Sequence, residues 1–290
     1  KLIPAKLPAR LLYLDFLVAR EELNLAIETW ERSLHDPVPE DFKYHVSVVF
    51  TLIDRLLAKN RVEDALRVWK EALQKADERS TDSRFVWEGA GIRPADYPVN
   101  LVWNGSFEDR ILGGGFDWRY SATAEVEFSS DANDKVDGLK SLRLTFGGTN
   151  IDLSNLRQIV PVLVPGNYLL EFYAKTENLT TDQKPYFLIQ GVPETQAATL
   201  KTGSFPESSP WQKYSFPFTV KTGAKALEIV LRRDPSQKFD NRLKGSLWLD
   251  EVSIRSLDQQ NGVHGPSSHG SLDGELLKAV GFACAFASRW

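Results

Sequence analysis

The chain has 290 residues, 42% of them hydrophobic and 26% charged, with a formal net charge of −4. That length suffices for two domains with cores of their own, and the mildly acidic balance gives no electrostatic reason to expect nucleic acid or an anionic membrane as partner. The single cysteine, Cys284, excludes an intrachain disulfide framework and a cysteine-based zinc site, and with only His35, His45, His264 and His269 present, no histidine lies between residues 46 and 263 to build a triad or a metal cluster there. No apolar run approaches the roughly 20 residues that span a bilayer. The chain begins at Lys1 and contains no methionine, so the absence of a targeting segment says little about compartment. All 19 glycines lie at Gly89 or later. Glycine is costly inside helices and useful in tight turns, so two architectures are expected to join near residue 90.

Residues 1–85 read as helical hairpins. Leu11–Leu34 aligns without gaps on Phe50–Leu73, a self-match at 39 residues that superposes Ala26 on Ala65, Trp30 on Trp69 and Leu34 on Leu73. Residues four apart share a helix face, where the small alanine admits a neighbouring helix and Trp and Leu fill the space beside it. Each unit is expected to bend near Glu21–Glu22 and near Lys59–Asn60, with Asp36-Pro37-Val38-Pro39 between the units because proline resists helix continuation. This spacing resembles tetratricopeptide-type repeats, which implies antiparallel helix pairs and a protein partner. Two units are fewer than the roughly three needed for independent stability, so they are expected to continue an array preceding Lys1 or to pack on the C-terminal half of the chain. Trp30 and Trp69, at matching positions, are expected in the core rather than as ligand platforms.

Residues 86–100 read as a linker, and 101–257 as an antiparallel β-sandwich of the jelly-roll type with about eight strands. Alternation of period two marks strands at Ser141–Phe146, Tyr168–Ala174, Lys213–Val220, Ala226–Arg232 and Ser246–Ile254, and no helical pattern separates them. Short markers occur in order: Asn104-Gly105-Ser106-Phe107-Glu108, Gly115-Phe116-Asp117-Trp118, Gly138 to Leu144, Gln158 through Tyr168, Trp211 to Tyr214, and Leu247-Trp248-Leu249-Asp250-Glu251-Val252. Together they resemble the carbohydrate-binding modules of the galactose-binding-domain type. The resemblance implies a non-catalytic jelly roll that binds a glycan by stacking aromatic rings on sugar faces and bonding hydroxyls with polar groups.

The residues the resemblance offers for that task are Tyr173 between Glu171 and Lys175, Arg143 between two core leucines, Arg157 and Gln158 on the next strand, and the rings of Tyr120 and Tyr186. No exposed tryptophan pair stands out, and Trp211 and Trp248 are expected to cover the ends of the core. The resemblance also implies a structural calcium, with Glu108 and Asp250 at the matching positions, since hard oxygen ligands suit that ion; the alternative is that they cap turns or pair with Lys or Arg. Nothing marks two carboxylates as a glycosidase pair, and Gly113-Gly114-Gly115 is not followed by the Lys-Ser/Thr of a phosphate loop. The expected function is a glycan-binding protein of an envelope or exported bacterial polysaccharide, located in the periplasm, the cell envelope or outside the cell. The alternatives are a protein-interaction scaffold without sugar binding and a glycoside hydrolase fragment. Residues 258–290 read as a polar, Gly-rich linker and then an apolar tail, Leu276–Ala287, too short to span a membrane.

Overall fold

The computed structural model describes residues 7–36, 46–77, 100–121, 123–162 and 164–258. The Pro37–Pro39 break, nearly all of the expected linker and the tail after Asp258 lie outside the described residues.

Among the described residues, four helices form two hairpins: α1 Leu7–Ala19 with α2 Leu23–Ser33, then, after a 3-10 turn at Val46–Val49, α3 Phe50–Ala58 with α4 Val62–Asp77. The two bends are built alike. Glu21 and Asn60, equivalent in the self-match, both take positive φ (60° and 58°). The amide of the next residue reaches back to an equivalent carbonyl, Glu22 to Leu17 at 3.0 Å and Arg61 to Leu56 at 2.8 Å. Asparagine tolerates that left-handed geometry, whereas a glutamate resists it. Glu21 is held in place by ion pairs to Lys59 and Arg55 of the second hairpin. Between the hairpins, Trp30 Nε1 donates to Glu71 at 2.8 Å, and the Lys75 ammonium donates to the carbonyls of Ser33 and Leu34 at 2.8 Å each. That cation satisfies the last carbonyls of α2 and opposes the negative end of its dipole. Trp30 and Trp69 are buried, at 0% and 1% exposure.

The sandwich has nine strands among the described residues: β1 Val126–Asp131, β2 Ser141–Thr149, β3 Leu153–Pro161, β4 Gly166–Glu177, β5 Tyr186–Val192, β6 Thr199–Lys201, β7 Ser209–Val220, β8 Ala226–Arg233 and β9 Leu243–Ser256. A five-stranded sheet runs β1-β2-β9-β4-β7 and a four-stranded sheet β3-β8-β5-β6, with antiparallel pairing throughout. Leu144, Leu170, Phe172, Leu247 and Leu249 of the first sheet face Leu156, Phe187, Ile189 and Leu231 of the second in one core. Phe172 and Phe187 meet edge to face, with ring centroids 4.9 Å apart.

The helices dock on this sandwich. Trp69 meets Trp103 at 5.6 Å and Phe116 at 6.4 Å between ring centroids, both edge-on. Phe116 is part of the helical core, and Trp103, Leu112 and Ile159 pack against it. Arg119 pairs with Asp54, and Lys225 with Glu63 at 3.5 Å. Gly114 and Gly115 lie directly under Phe50 and Trp69, where a methyl group would overlap either ring, and Gly115 has φ +61°. Close approach of two modules therefore accounts for Gly114 and Gly115, whereas Gly113 is in open space and is explained by its φ of +76°. Because Ile159 projects from β3, the helices cover the outer side of the four-stranded sheet along its β3 edge and leave the five-stranded face open.

Candidate polar face and loop sites

On the five-stranded sheet, strict alternation turns one set of residues away from the core. Register places Arg143 of β2 opposite Trp248 of β9, and Trp248 opposite Lys175 of β4. The Arg143 guanidinium and the Lys175 ammonium each lie 4.8 Å from the Trp248 ring centre. An indole between two cations is attracted to both through its ring faces. Trp248 is only 2% exposed, and its Nε1 donates to Asp131 at 2.9 Å. Lys175 also donates to Asp134 at 2.7 Å. The expectation that Trp248 covers an end of the core is thus corrected: it lies on the outer face, buried beneath two cations.

Beside this row, Tyr173 of β4 is flanked by Asp250 of β9 and Lys213 of β7. It is half-exposed, and its hydroxyl has no hydrogen-bond partner among the described residues. Trp211 lies two residues along β7 from Lys213, where alternation turns it to the same face, beside an irregularity in the pairing with β4. The Trp211 Nε1 is buried and unpartnered. A third row centres on Glu171, which pairs with Lys213 at 2.9 Å and Arg255 at 2.6 Å. Burial opposes ionisation of Glu171, but the two cations outweigh it and hold the carboxyl below its usual range. The face therefore offers an aromatic pair, an uncommitted phenol and a lattice of charges with fixed partners.

The other expected ligand residues are dispersed. Arg157 lies on β3 at the docked edge, 3.4 Å from Glu228. Gln158, its neighbour, points the opposite way: it is fully buried, its Oε1 accepting the Trp103 amide at 2.9 Å and its Nε2 donating to the Trp103 carbonyl at 2.8 Å. Both ends of that amide are used to fix a residue of the docking joint, so Gln158 has nothing to present to a sugar. Tyr186, on β5, is 5% exposed, its hydroxyl donates to Asp234 at 2.8 Å, and Lys201 lies 4.1 Å over its ring. Tyr120 lies at the β1 edge with its ring 4.9 Å from that of Phe128. Only Arg143 and Tyr173 share the open face. Trp211, Lys175 and Lys213 share this face and were not among the expected ligand residues, although alternation from Tyr214 and Phe216 already turns Trp211 and Lys213 outward.

Glu108 and Asp250 do converge. Glu108 Oε1 accepts the amides of Leu139 at 2.8 Å and Lys140 at 3.2 Å. Asp250 is wholly buried and accepts those of Val136 at 2.9 Å and Glu251 at 2.8 Å. Burial raises the Asp250 carboxyl above its usual range, and the nearby Glu108 charge adds to that, against the lowering by the amides. Among the described residues no three His, Cys, Asp or Glu side chains gather into a metal-holding group, so further ligands for a cation there would have to be neutral oxygens, such as backbone carbonyls, amide side chains or water, which calcium accepts.

The molecule is thus a β-sandwich domain with one open polar sheet face, joined to a four-helix unit in which no helix among the described residues is long and apolar enough to cross a membrane. A family model described as a carbohydrate binding domain matches residues 99–237. Among solved structures, the chain is similar to a CBM4 module at 15% identity, covering 53% of this chain and 98% of that one with a TM-score of 0.37. It is similar to the CBM22-1 xylan-binding domain of Paenibacillus barcinonensis Xyn10C at 19% identity, covering 52% and 90% with a TM-score of 0.32. It is also similar to the enzymatically active domain of bacteriophage CBA120 tailspike protein 4 at 19% identity, where it covers 54% of this chain but only 21% of the tailspike, with a TM-score of 0.39. No curated protein matches.

Proposed function

We propose that the sandwich is a non-catalytic glycan-binding module whose site is the outer face of the five-stranded sheet. The observation that carries this is the half-exposed ring of Tyr173, with Trp211 turned to the same side of the sheet, on a face that the docked helices leave open, within a region similar to a carbohydrate binding domain. Flat rings give a sugar its apolar contact, and Arg143, Lys175 and Lys213 give its hydroxyls directed donors. The scaffold alternative draws support from how fully these charges are already paired with one another. In the helical unit, Leu12 and Phe16 are 74% and 51% exposed on α1 where the second hairpin carries Thr51 and Arg55. This supports a protein partner for the first hairpin, in the manner of tetratricopeptide-type units. The compartment that fits a glycan binder is the periplasm, the cell envelope or the exterior.

The test is a glycan array and then titration of the tightest ligand. Tyr173→Ala removes a half-exposed stacking ring worth about 1–2 kcal/mol, so affinity should fall about five- to thirty-fold with unfolding unchanged. An array without signal above background would overturn the glycan reading, and an unchanged affinity would overturn the choice of face.

We also propose that Glu108 and Asp250 hold a structural calcium. Two neighbouring carboxylates, one of them wholly buried, gain more from a divalent cation than from amides alone. Calcium at about a hundred times its Kd should then stabilise the folded chain by about 2.7 kcal/mol, read as a raised thermal midpoint that EDTA reverses. Asp250→Asn should abolish the shift. A midpoint indifferent to calcium in the unmutated chain would decide for turn capping instead.

A further inference from the structure

A pocket of about 210 Å³ opens at the β1 edge of the sandwich, away from the sheet face described above. Asp109, Arg110, Tyr120, Phe128, Ser130 and Lys140 are among the residues that line it. Ligand pockets for drug-sized molecules run to about 300–1,000 Å³, so this one suits a single sugar ring rather than a chain. Its aromatic wall is already set: Tyr120 is 43% exposed and braced from behind by Phe128, with centroids 4.9 Å apart and planes inclined at 35°. A ring held in this way presents an apolar surface with little rotamer freedom left to lose on binding.

The charge of the lining decides which sugar. Two cations, Arg110 and Lys140, and one carboxylate, Asp109, are among its lining residues. Asp109 and Arg110 are engaged in contacts of their own. The Lys140 main chain is fixed, its amide donating to Glu108 at 3.2 Å, but its ammonium has no partner among the described residues. A neutral hexose would leave that ammonium without a counter-charge, whereas a carboxylate on the sugar supplies one. We infer that this edge pocket is a second carbohydrate site, selective for an acidic sugar such as a hexuronate, with Tyr120 as its platform and Lys140 as its carboxylate contact. The inference rests on the glycan-binding reading of the sandwich but uses none of the residues of the five-stranded face.

The experiment is an NMR titration of the full chain with galacturonate and, separately, with galactose. Galacturonate should shift the amide signals of Tyr120, Ser130 and Lys140 and bind at least about fivefold more tightly than galactose, a preference that weakens as salt is added. Lys140→Gln should erase the preference, and Tyr120→Ala should remove binding of both sugars here. Neither side chain is buried, so both variants should keep the unmutated chain's dispersion of signals. Equal affinity for the two sugars, or a preference that survives Lys140→Gln, would overturn the proposal. If an array ligand binds the five-stranded face while galacturonate leaves the edge signals unmoved, this site fails and the glycan-binding reading stands. If neither site responds to any sugar, both fail together.

Discussion

Replacing Trp69 with alanine should destabilise the protein by about 3–5 kcal/mol, the cost of emptying a core position this large, and should uncouple its two modules. Trp69 is 1% exposed and belongs to two packing arrangements at once. Within the helices it lies 6.1 Å from Phe50; across the joint it meets Trp103 and Phe116. Its indole N–H is buried without a partner, so its contribution comes from shape and apolar area. The sandwich covers the second hairpin on the side where Trp69 meets Trp103 and Phe116. The unmutated chain should therefore lose its helical circular-dichroism signal and its sheet fluorescence in one transition. In Trp69→Ala the helices should melt first, leaving a folded sandwich. Trp30→Ala, at the equivalent position but away from the joint, is the comparison: it should weaken the helical unit through an emptied core position and the lost Glu71 bond without emptying the aromatic joint. Coincident transitions in Trp69→Ala would show that the joint contributes little.

The two helical hairpins were legible because their signals are local. Ala26, Trp30 and Leu34 recur at Ala65, Trp69 and Leu73, and the bends fall where Glu21 and Asn60 break the pattern. The five alternating segments became strands for the same reason. What sequence alone did not reveal is contact between distant segments. Trp248 looked like a core residue because nothing nearby shows that β9 is inserted between β2 and β4, which brings Arg143 and Lys175 to its two ring faces. Trp69 was legible as buried, but Trp103 and Phe116, which bury it, lie beyond the expected linker. Of the expected ligand residues, Arg143 and Tyr173 were placed on the outer face by alternation. Gln158 could have been excluded by the same rule, since adjacent strand residues face opposite sides and its neighbour Arg157 points outward. Trp211 was turned outward by the alternation of Tyr214 and Phe216, but its place beside β4, next to the irregularity between Ala174 and Thr176, depends on a pairing of distant segments.

The stability of this protein should fall as pH rises from about 4 to 7, and Asp117 is the expected cause. Its carboxylate is 1% exposed in the loop that joins the modules, accepting the amides of Leu112 at 2.6 Å and Trp118 at 2.7 Å. The same loop sends Phe116 into the helical core and Trp118 into the sandwich. Burial is the dominant influence and lifts the group from 3.8 to about 7, against the lowering by those amides. The folded chain therefore keeps this proton up to about pH 7, while the unfolded chain releases it near 4. Between those values the folded state binds more protons, so unfolding becomes easier as pH rises, and above 7 the contribution is flat. At about 1.4 kcal/mol for each pH unit, the whole window is worth on the order of 4 kcal/mol. Denaturant titrations of the unmutated chain and of Asp117→Asn across this range separate the effect from every other titrating group. Asparagine has no proton to lose, and one of its ends must present N–H to an amide donor, so the variant should be less stable at low pH. The gap between the two proteins should narrow as pH approaches 7. A gap of constant size would mean that the two amides hold Asp117 ionised throughout, and that the joint is built on a buried charge.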